Sequence, residues 1–276
     1  MTDPSAEAPG MQMNPEGERD TEKDRHFVTA LARGLDILRA FRPGEGPLNN
    51  QVLSARTGLP RSTVSRLTST LTRLGYLTQR GERGAYEPTT AVVALGYTVL
   101  ANNRLRSLAR PMMAELARDA DLAVAMGSRD DLAMIYVEIC QGRGNLALYL
   151  DIGSRLPLAL TSMGRAYMAA LDEAERLPLL DAIRREADPA DWPRIARGIE
   201  QAFEDYATAG FCLSAGDWQR DVFAVGVPLR DKPNGRLAAL NAGGPRYRVD
   251  LDWLRNEIAP RLVALARNVE GMCGWR

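Results

Sequence analysis

The chain has 276 residues, 45% of them hydrophobic, which is enough for two domains with separate cores. Its 35 basic and 35 acidic residues are unevenly spread. Residues 1–24 hold seven acids and two bases, residues 25–90 hold four acids and ten arginines, and the remainder holds 24 acids and 23 bases. One histidine and three scattered cysteines exclude a histidine-dependent nucleophile, a zinc site with paired ligands and a disulfide framework.

Residues 1–24 are predicted to form a disordered acidic tail. They combine prolines and glycines with an acidic run from Glu16 to Asp24, and they hold too few apolar residues to bury. They lack the apolar core of a secretion signal, and no later stretch reaches about eighteen uninterrupted apolar residues. We therefore expect a cytoplasmic protein that does not bind membranes.

A helix pair is predicted within the basic segment. Asn49 and Asn50 can cap a short helix, Gly58 suits a tight turn, and Pro60 opens a second helix that runs to about Leu74. Two helices across a glycine turn suggest a helix-turn-helix. Apolar residues at three- and four-residue spacing should form a stripe that faces a small core: Val64, Leu67, Leu71 and Leu74.

The opposite face of the second helix is polar. Its short hydroxyls and forked guanidiniums can enter a major groove and contact base edges and phosphates. The candidate DNA-binding residues here are Arg61, Ser62, Thr63, Ser65, Arg66 and Ser69. The alternative is an ordinary amphipathic helix pair with a solvated polar face, because helical hairpins also occur in bundles.

A β-hairpin is predicted directly after the second helix, which is typical of a winged helix-turn-helix. Residues 76–79 and 85–88 have the composition of strands, and the tip between them is rich in glycine. Arg80 and Arg83 at this tip are placed to touch backbone phosphate or a minor groove. We assign the winged helix-turn-helix domain to residues 25–88, where the positive charge is concentrated.

A connecting helix with apolar residues on more than one side is predicted for residues 89–104. Such a helix seldom stands free, so it should pack against its own domain or against a second copy of the chain.

Residues 105–276 are predicted to form an α+β domain with one antiparallel sheet, because strands precede and follow a helical block and each end has a hairpin. Pro111 lies in the first helix and is tolerable there only at a kink or turn. The predicted strands are 122–126, 132–139, 146–150, 211–214, 222–229 and 237–242, with turns at 127–131 and 233–235. The predicted helices are 105–117, 163–171, 172–185, 193–209 and 251–269.

The sequence resembles the IclR-type bacterial transcriptional regulators from about Phe27 to the C-terminus. The resemblance is carried by residues 31–38, 57–67, 74–77, 151–158, 161–166, 210–211 and 243–245. It implies that the connecting helix contributes to dimerisation, that dimers associate in pairs, and that the second domain is GAF-like and binds a small effector.

An anion site is predicted at the start of the helix near Met163. Thr161 and Ser162 precede it, so their hydroxyls and the free N–H groups of the first turn can hold a carboxylate. A plain helix cap is the alternative. With the pocket wall that the resemblance implies, the candidate effector-binding residues are Leu148, Thr161, Ser162, Met163, Ser214, Val222, Ala224, Asn241 and Gly243.

The chain departs from the resembling family at residues 215–221. Family members often carry an acidic run followed by small residues there, whereas this chain reads Ala-Gly-Asp-Trp-Gln-Arg-Asp. Trp218 either lines the pocket or covers the sheet edge. Nearby Cys212 is either a redox sensor or a small buried apolar residue.

These patterns predict a sequence-specific DNA-binding transcriptional regulator. We expect at least a homodimer on a two-fold operator, controlled by a small organic acid, for which aromatic and dicarboxylic acids are both candidates. No catalytic residue, metal ion or cofactor is expected. A metabolic enzyme with a structural helix-turn-helix and a protein-interaction module are the alternatives, but neither explains why positive charge gathers in residues 25–90.

Overall fold

The computed structural model describes residues 26–81, 84–143 and 150–274. The predicted acidic tail, Arg83, Leu148 and nearly all of the predicted strand 146–150 lie outside the described residues. Contacts divide the chain into two compact units, with the boundary between Ala101 and Asn102. Among the described helices, none combines the length and the apolar character that crossing a membrane demands.

The N-terminal unit contains the predicted helix pair and hairpin. Its elements are α1 (Thr29–Arg39), α2 (Asn50–Thr57), α3 (Arg61–Arg73), β1 (Leu77–Arg80), β2 (Ala85–Pro88) and α4 (Thr90–Ala101). The Asn49 side chain caps α2 by accepting hydrogen bonds from the N–H groups of Gln51 and Val52 at 2.9 and 3.0 Å. Gly58 adopts the left-handed conformation, φ 67°, that turns the chain from α2 into α3. The helix-turn-helix and its hairpin are therefore confirmed.

A small core holds these helices together. Its fully or nearly buried members are Ile37, Leu48, Leu53, Val64, Leu71 and Leu77. The prediction that Leu74 joins this core was wrong, since its side chain is 64% exposed. Helix α3 ends at Arg73, and Gly75, at φ 81°, redirects the chain. The helical periodicity therefore stops before Leu74, and Leu77 on β1 enters the core.

Helix α4 is apolar, yet none of its residues is buried within the described chain. Four large side chains on it are 54–67% exposed: Val93, Leu95, Tyr97 and Val99.

The C-terminal unit is an α+β domain around one antiparallel sheet, as predicted. Its helices are α5 (Arg104–Ala120), α6 (Ser162–Ala169), α7 (Glu173–Glu186), α8 (Trp192–Ala209), α9 (Leu251–Trp253) and α10 (Ala259–Gly274), and a π-helical turn (Leu254–Ile258) joins the last two. Its strands are β3 (Ala123–Asp130), β4 (Ala133–Gln141), β5 (Arg155–Pro157), β6 (Cys212–Ala215), β7 (Val222–Asp231) and β8 (Arg236–Pro245). They pair in the order β5-β4-β3-β8-β7-β6, every neighbour antiparallel.

Two local predictions in this unit differ from the structure. The turn expected at 127–131 is confined to Asp131 and Leu132, because Gly127 sits at a β-bulge and strand β3 continues through it to Asp130. Pro111 lies inside the uninterrupted helix α5.

The sheet and α6 approach each other closely at one glycine. A Cβ on Gly226 of β7 would overlap the backbone of Ser162 and Met163 at the start of α6. The missing side chain therefore lets the N-terminus of α6 rest directly on the sheet. This contact places the first turn of α6 beside β7 and β8.

Candidate functional site

The polar face of α3 is open to solvent. Of its six predicted DNA-binding residues, Thr63 is partly buried. The other five are exposed: Arg61, Ser62, Ser65, Arg66 and Ser69. On the other side of the helix, Val64 and Leu71 are buried in the small core, and Thr68 beside them donates a hydrogen bond to the Val64 carbonyl at 3.0 Å. The core contacts thus fix which face of α3 is presented outward.

The wing carries one of its two predicted arginines within the described residues. Arg80 is two-thirds exposed, and its Nε lies 2.6 Å from Glu87 Oε1 on the paired strand. Strands β1 and β2 run antiparallel, with Arg80 opposite Ala85. The Glu87 carboxylate therefore orients Arg80 and offsets part of its charge.

A pocket lies against the sheet of the C-terminal unit. The backbone pairs Ala123 with Gly243, Gly243 with Ala224, and Ala224 with Ser214, so one row of small residues crosses four strands. These four residues line the pocket together with Tyr136, Ile139, Gln141, Leu150, Leu156, Thr161, Ser162, Trp218, Val222 and Asn241. The small side chains of the row leave the space that larger ones would fill.

Seven of the nine predicted effector-binding residues line this pocket: Thr161, Ser162, Ser214, Val222, Ala224, Asn241 and Gly243. Met163 is fully buried in the core and is absent from the lining. Leu148 lies outside the described residues. Of the two readings of Trp218, the structure supports the pocket lining.

The N-terminus of α6 forms one polar end of the pocket. Thr161 is a helix cap: its Oγ1 accepts from the Gly164 N–H at 3.2 Å and donates to the Pro157 carbonyl at 2.9 Å. Ser162 differs, because its side chain is 1% exposed and its Oγ has no hydrogen-bond partner among the described residues. A buried hydroxyl without a partner is costly, so Ser162 is available to a bound group.

Two residues from different strands make a second polar position. Tyr136 on β4 and Asn241 on β8 hydrogen-bond each other, with the Asn241 amide donating to the Tyr136 hydroxyl at 3.2 Å. Burial raises the pKa of Tyr136 to about 12, so its phenol stays neutral. Among the described lining residues none carries a charge at neutral pH, so the helix terminus is the main electrostatic feature that they offer an anion.

Sequence reasoning missed the lining residues on β3, β4 and β5 and the flanking Leu150. Strand β4 is buried along both faces, and therefore its alternation does not reveal which residues face the pocket. The pairing of distant strands is what shows which residues of β4 line the pocket.

The structure supports the interpretation of Cys212 as a small buried residue. Its thiol is buried and donates to the Ala202 carbonyl at 3.2 Å. Burial raises the pKa of Cys212 to about 12, which leaves almost no thiolate at neutral pH. The described residues also hold no cluster of three or more side chains suited to binding a metal ion.

Comparisons with known proteins agree with this architecture. The family model described as bacterial transcriptional regulator IclR C-terminal matches residues 97–270, and the IclR helix-turn-helix domain model matches residues 30–81. The HTH-type transcriptional regulator TsaQ1/TsaQ2 of Comamonas testosteroni is 31% identical over 90% of each chain.

Solved structures share the fold. An IclR family transcriptional regulator from Brucella abortus is 46% identical, with a TM-score of 0.81 over 91% of this chain and 95% of that one. An IclR homologue from Microbacterium hydrocarbonoxydans, crystallised with 4-hydroxybenzoate, has a TM-score of 0.66 at 20% identity and covers 88% and 98% of the two chains. That lower identity shows the fold alone. The two family models together span most of the sequence. Proteins of this family are not enzymes: they bind DNA through an N-terminal helix-turn-helix and an effector through a C-terminal domain. This chain therefore belongs to the IclR family of bacterial transcriptional regulators.

Proposed function

We propose that this regulator reads a two-fold operator through α3 and that a small organic acid, bound at the N-terminus of α6, controls its affinity for that operator. The observation that carries the effector proposal is the buried Ser162 hydroxyl without a partner at that terminus. The pocket around it is lined by uncharged residues in the described chain.

Base reading is assigned to the exposed face of α3. Arg66 and Arg61 have the planar donors that recognise guanine edges or phosphates, and Ser62, Ser65 and Ser69 are short enough to let the helix lie deep in a major groove. Thr63, near the same end of the helix, is the sixth residue assigned to this DNA-reading face. Arg80 and Arg83 on the wing add sequence-independent contacts with phosphate or a minor groove.

The effector is held as an anion by α6. The first-turn N–H groups that the Thr161 cap leaves unpaired and the positive end of the helix dipole favour a carboxylate, and the Ser162 hydroxyl can donate to it. Ser214 donates its own proton to the Leu160 carbonyl at 2.9 Å and therefore faces the ligand as an acceptor. A bound acid can change operator affinity only if it favours one arrangement of the DNA-binding units over another.

Binding to a two-fold operator calls for at least a homodimer. The exposed apolar side chains of α4, which lie on a helix with no buried residue, supply a surface that a second copy can cover. We assign α4 to that dimer contact, and the dimer can in turn pair with another.

The experiment that tests this proposal measures binding of the full chain to its own upstream intergenic DNA and to a random duplex of equal length, across a salt series. We expect strong preference for the upstream DNA and a steep loss of affinity with salt. The first effector probe is 4-hydroxybenzoate, the ligand in the Microbacterium homologue. Equal binding to both duplexes would overturn the operator proposal.

Ser162→Ala tests the anion site, and Ser107→Ala, which removes an exposed hydroxyl on α5, is its control. The first substitution should weaken binding of the acid about tenfold, as expected for a hydrogen bond to a charged group. The second should leave it unchanged. Equal effects of the two substitutions would remove Ser162 from the site.

A further inference from the structure

The segment between β6 and β7 forms an ordered turn over the pocket. Gly216, at φ 80°, donates its N–H to the Val222 carbonyl at 3.0 Å. The Val222 N–H in turn donates to the Gln219 carbonyl at 2.9 Å, within the same turn. Trp218 at its centre lines the pocket and packs against the apolar core of the unit. The turn therefore presents a large aromatic side chain to any ligand.

An ion pair between a buried arginine and a partly exposed aspartate holds this turn to α6. Arg165 is 3% exposed, and its Nη1 lies 2.8 Å from Asp217 Oδ2, next to Trp218. The same guanidinium donates to the Ala159 carbonyl at 2.9 Å and to the Leu213 carbonyl at 3.3 Å. A charged group this deep needs its partner, because losing the partner would leave a buried charge uncompensated.

Two further elements fix the pair. A Cβ on Gly198 of α8 would overlap the Arg165 guanidinium, so α8 closes on it with no space to spare. Arg194 on α8 donates from Nη1 to the Asp217 carbonyl at 3.4 Å. The turn is thereby tied to two helices, which limits the movement of the backbone next to Trp218.

Helix α6 therefore contributes to two parts of the pocket, the anion site and the aromatic wall. Ser162 in its first turn faces the pocket with a free hydroxyl, and Arg165, three residues later, anchors the turn that carries Trp218. Residues three apart lie on neighbouring positions of a helix. The anion site and the aromatic wall are therefore held at a fixed separation by one rigid element.

We propose that Trp218 is the specificity-determining residue of the effector pocket, that the Arg165–Asp217 pair positions it, and that the effector is a planar aromatic monocarboxylate. This inference rests on the proposed function. An aromatic ring can stack on the indole while its carboxylate lies at the N-terminus of α6. A second carboxylate would meet the neutral Tyr136–Asn241 pair, which suits a hydroxyl and does not offset a charge.

The test compares three acids of matched size by calorimetry on the full chain. They are 4-hydroxybenzoate, its saturated analogue trans-4-hydroxycyclohexanecarboxylate, and terephthalate, which has a second carboxylate. We expect 4-hydroxybenzoate to bind at least tenfold more tightly than either of the others. Equal binding of the saturated analogue or of terephthalate would overturn the inference while leaving an acid effector in place. Binding of none of the three would overturn the proposed effector as well.

Substitutions then assign the selectivity to its residues. Trp218→Leu should reduce the ratio of aromatic to saturated affinity to about one, and Trp218→Tyr, which keeps an aromatic face, should retain most of it. Asp217→Asn should lower the same ratio severalfold, whereas Trp253→Phe on α9 should not change it. A purely structural role for Asp217 would weaken all three acids equally. The assignment would be contradicted if Trp218→Leu keeps the wild-type ratio of aromatic to saturated affinity, or if Asp217→Asn leaves that ratio unchanged. If Trp218→Leu does not fold, Trp218→Tyr tests the role of the tryptophan instead.

Discussion

Arg56 on α2 forms a two-pronged ion pair with Glu45 in the connection between α1 and α2. Nη1 and Nη2 lie 2.5 and 2.9 Å from the two carboxylate oxygens, and Nη1 also donates to the Ala40 carbonyl at 2.7 Å. The pair therefore clamps the end of α1 to the C-terminal turn of α2.

The first prediction concerns the pH dependence of this clamp. The hydrogen bond from Arg56 lowers the pKa of Glu45 below its ordinary value of 4.5, even though partial burial opposes the shift. A lowered pKa means that the pair stabilises the folded state above pH 4.5 and that this stability is lost as the pH falls through the folded-state pKa. Both side chains are partly exposed, so the contribution is about 0.5 kcal/mol.

Glu45→Gln should therefore lower the unfolding free energy by this amount near pH 7 and by progressively less as the pH falls below 4.5. Urea unfolding of the full chain, followed at several pH values, measures it. A difference between the two proteins that stays constant down to about pH 3.5 would show that the carboxylate is not responsible.

The second prediction concerns the close approach of α6 to the sheet. Gly226→Ala adds a Cβ that overlaps the Ser162 backbone, and backbone cannot move aside as a flexible side chain can. We expect a loss of about 1–3 kcal/mol in unfolding free energy, together with weaker acid binding, because the first turn of α6 must shift. Gly271→Ala on α10 is the control. Its Cβ meets nothing within 4 Å, so the substitution should be neutral or stabilising by up to about 1 kcal/mol. Wild-type stability of Gly226→Ala would show that α6 is free to move.

The helix-turn-helix was predictable because its determinants are local. Asn49 caps the helix that follows it, Gly58 supplies the left-handed turn, and the apolar spacing of α3 marks its buried face within one element. The one error there, Leu74, arose from extending that spacing one residue beyond the end of the helix.

The pocket was predictable only in part, for a physical reason. The start of α6 carries its own signal in Thr161 and Ser162, whereas Tyr136 reaches Asn241 across 105 residues of sequence. Such a contact depends on the register of strands β4, β3 and β8, and no local pattern encodes it. Gly127 shows the same limit, because a glycine in a strand can signal a turn or a bulge, and the pairing of its neighbours decides which.

The third prediction concerns base reading by Arg66. Its side chain is exposed on α3, and loss of a guanidinium that contacts a base edge should cost about 1–3 kcal/mol of operator affinity. Arg66→Ala should therefore weaken upstream DNA more than random DNA. Arg118→Ala removes the same charge from an exposed position on α5 and should affect neither. Titration of both duplexes with the three proteins gives the comparison, and unchanged operator affinity in folded Arg66→Ala would exclude Arg66 from the reading surface.

The fourth prediction concerns the exposed apolar surface of α4. Val99 is 63% exposed and Tyr97 62% exposed, and within the described chain this helix buries none of its residues. A charge at the centre of a dimer contact is costly because it would be desolvated without a partner, so Val99→Glu should shift the protein from dimer towards monomer. Operator affinity should fall with it, because one recognition helix makes too few base contacts for tight binding.

Light scattering during size-exclusion chromatography measures the mass, and denaturant unfolding at low protein concentration checks that the variant still folds. Leu177→Glu is the matched control, since Leu177 is also a large exposed apolar residue, 51% exposed, but lies on α7 in the other unit. It should leave the mass and the operator affinity unchanged. If Val99→Glu keeps the wild-type mass, α4 is not the dimer contact, and the apolar surface that joins the copies must lie elsewhere.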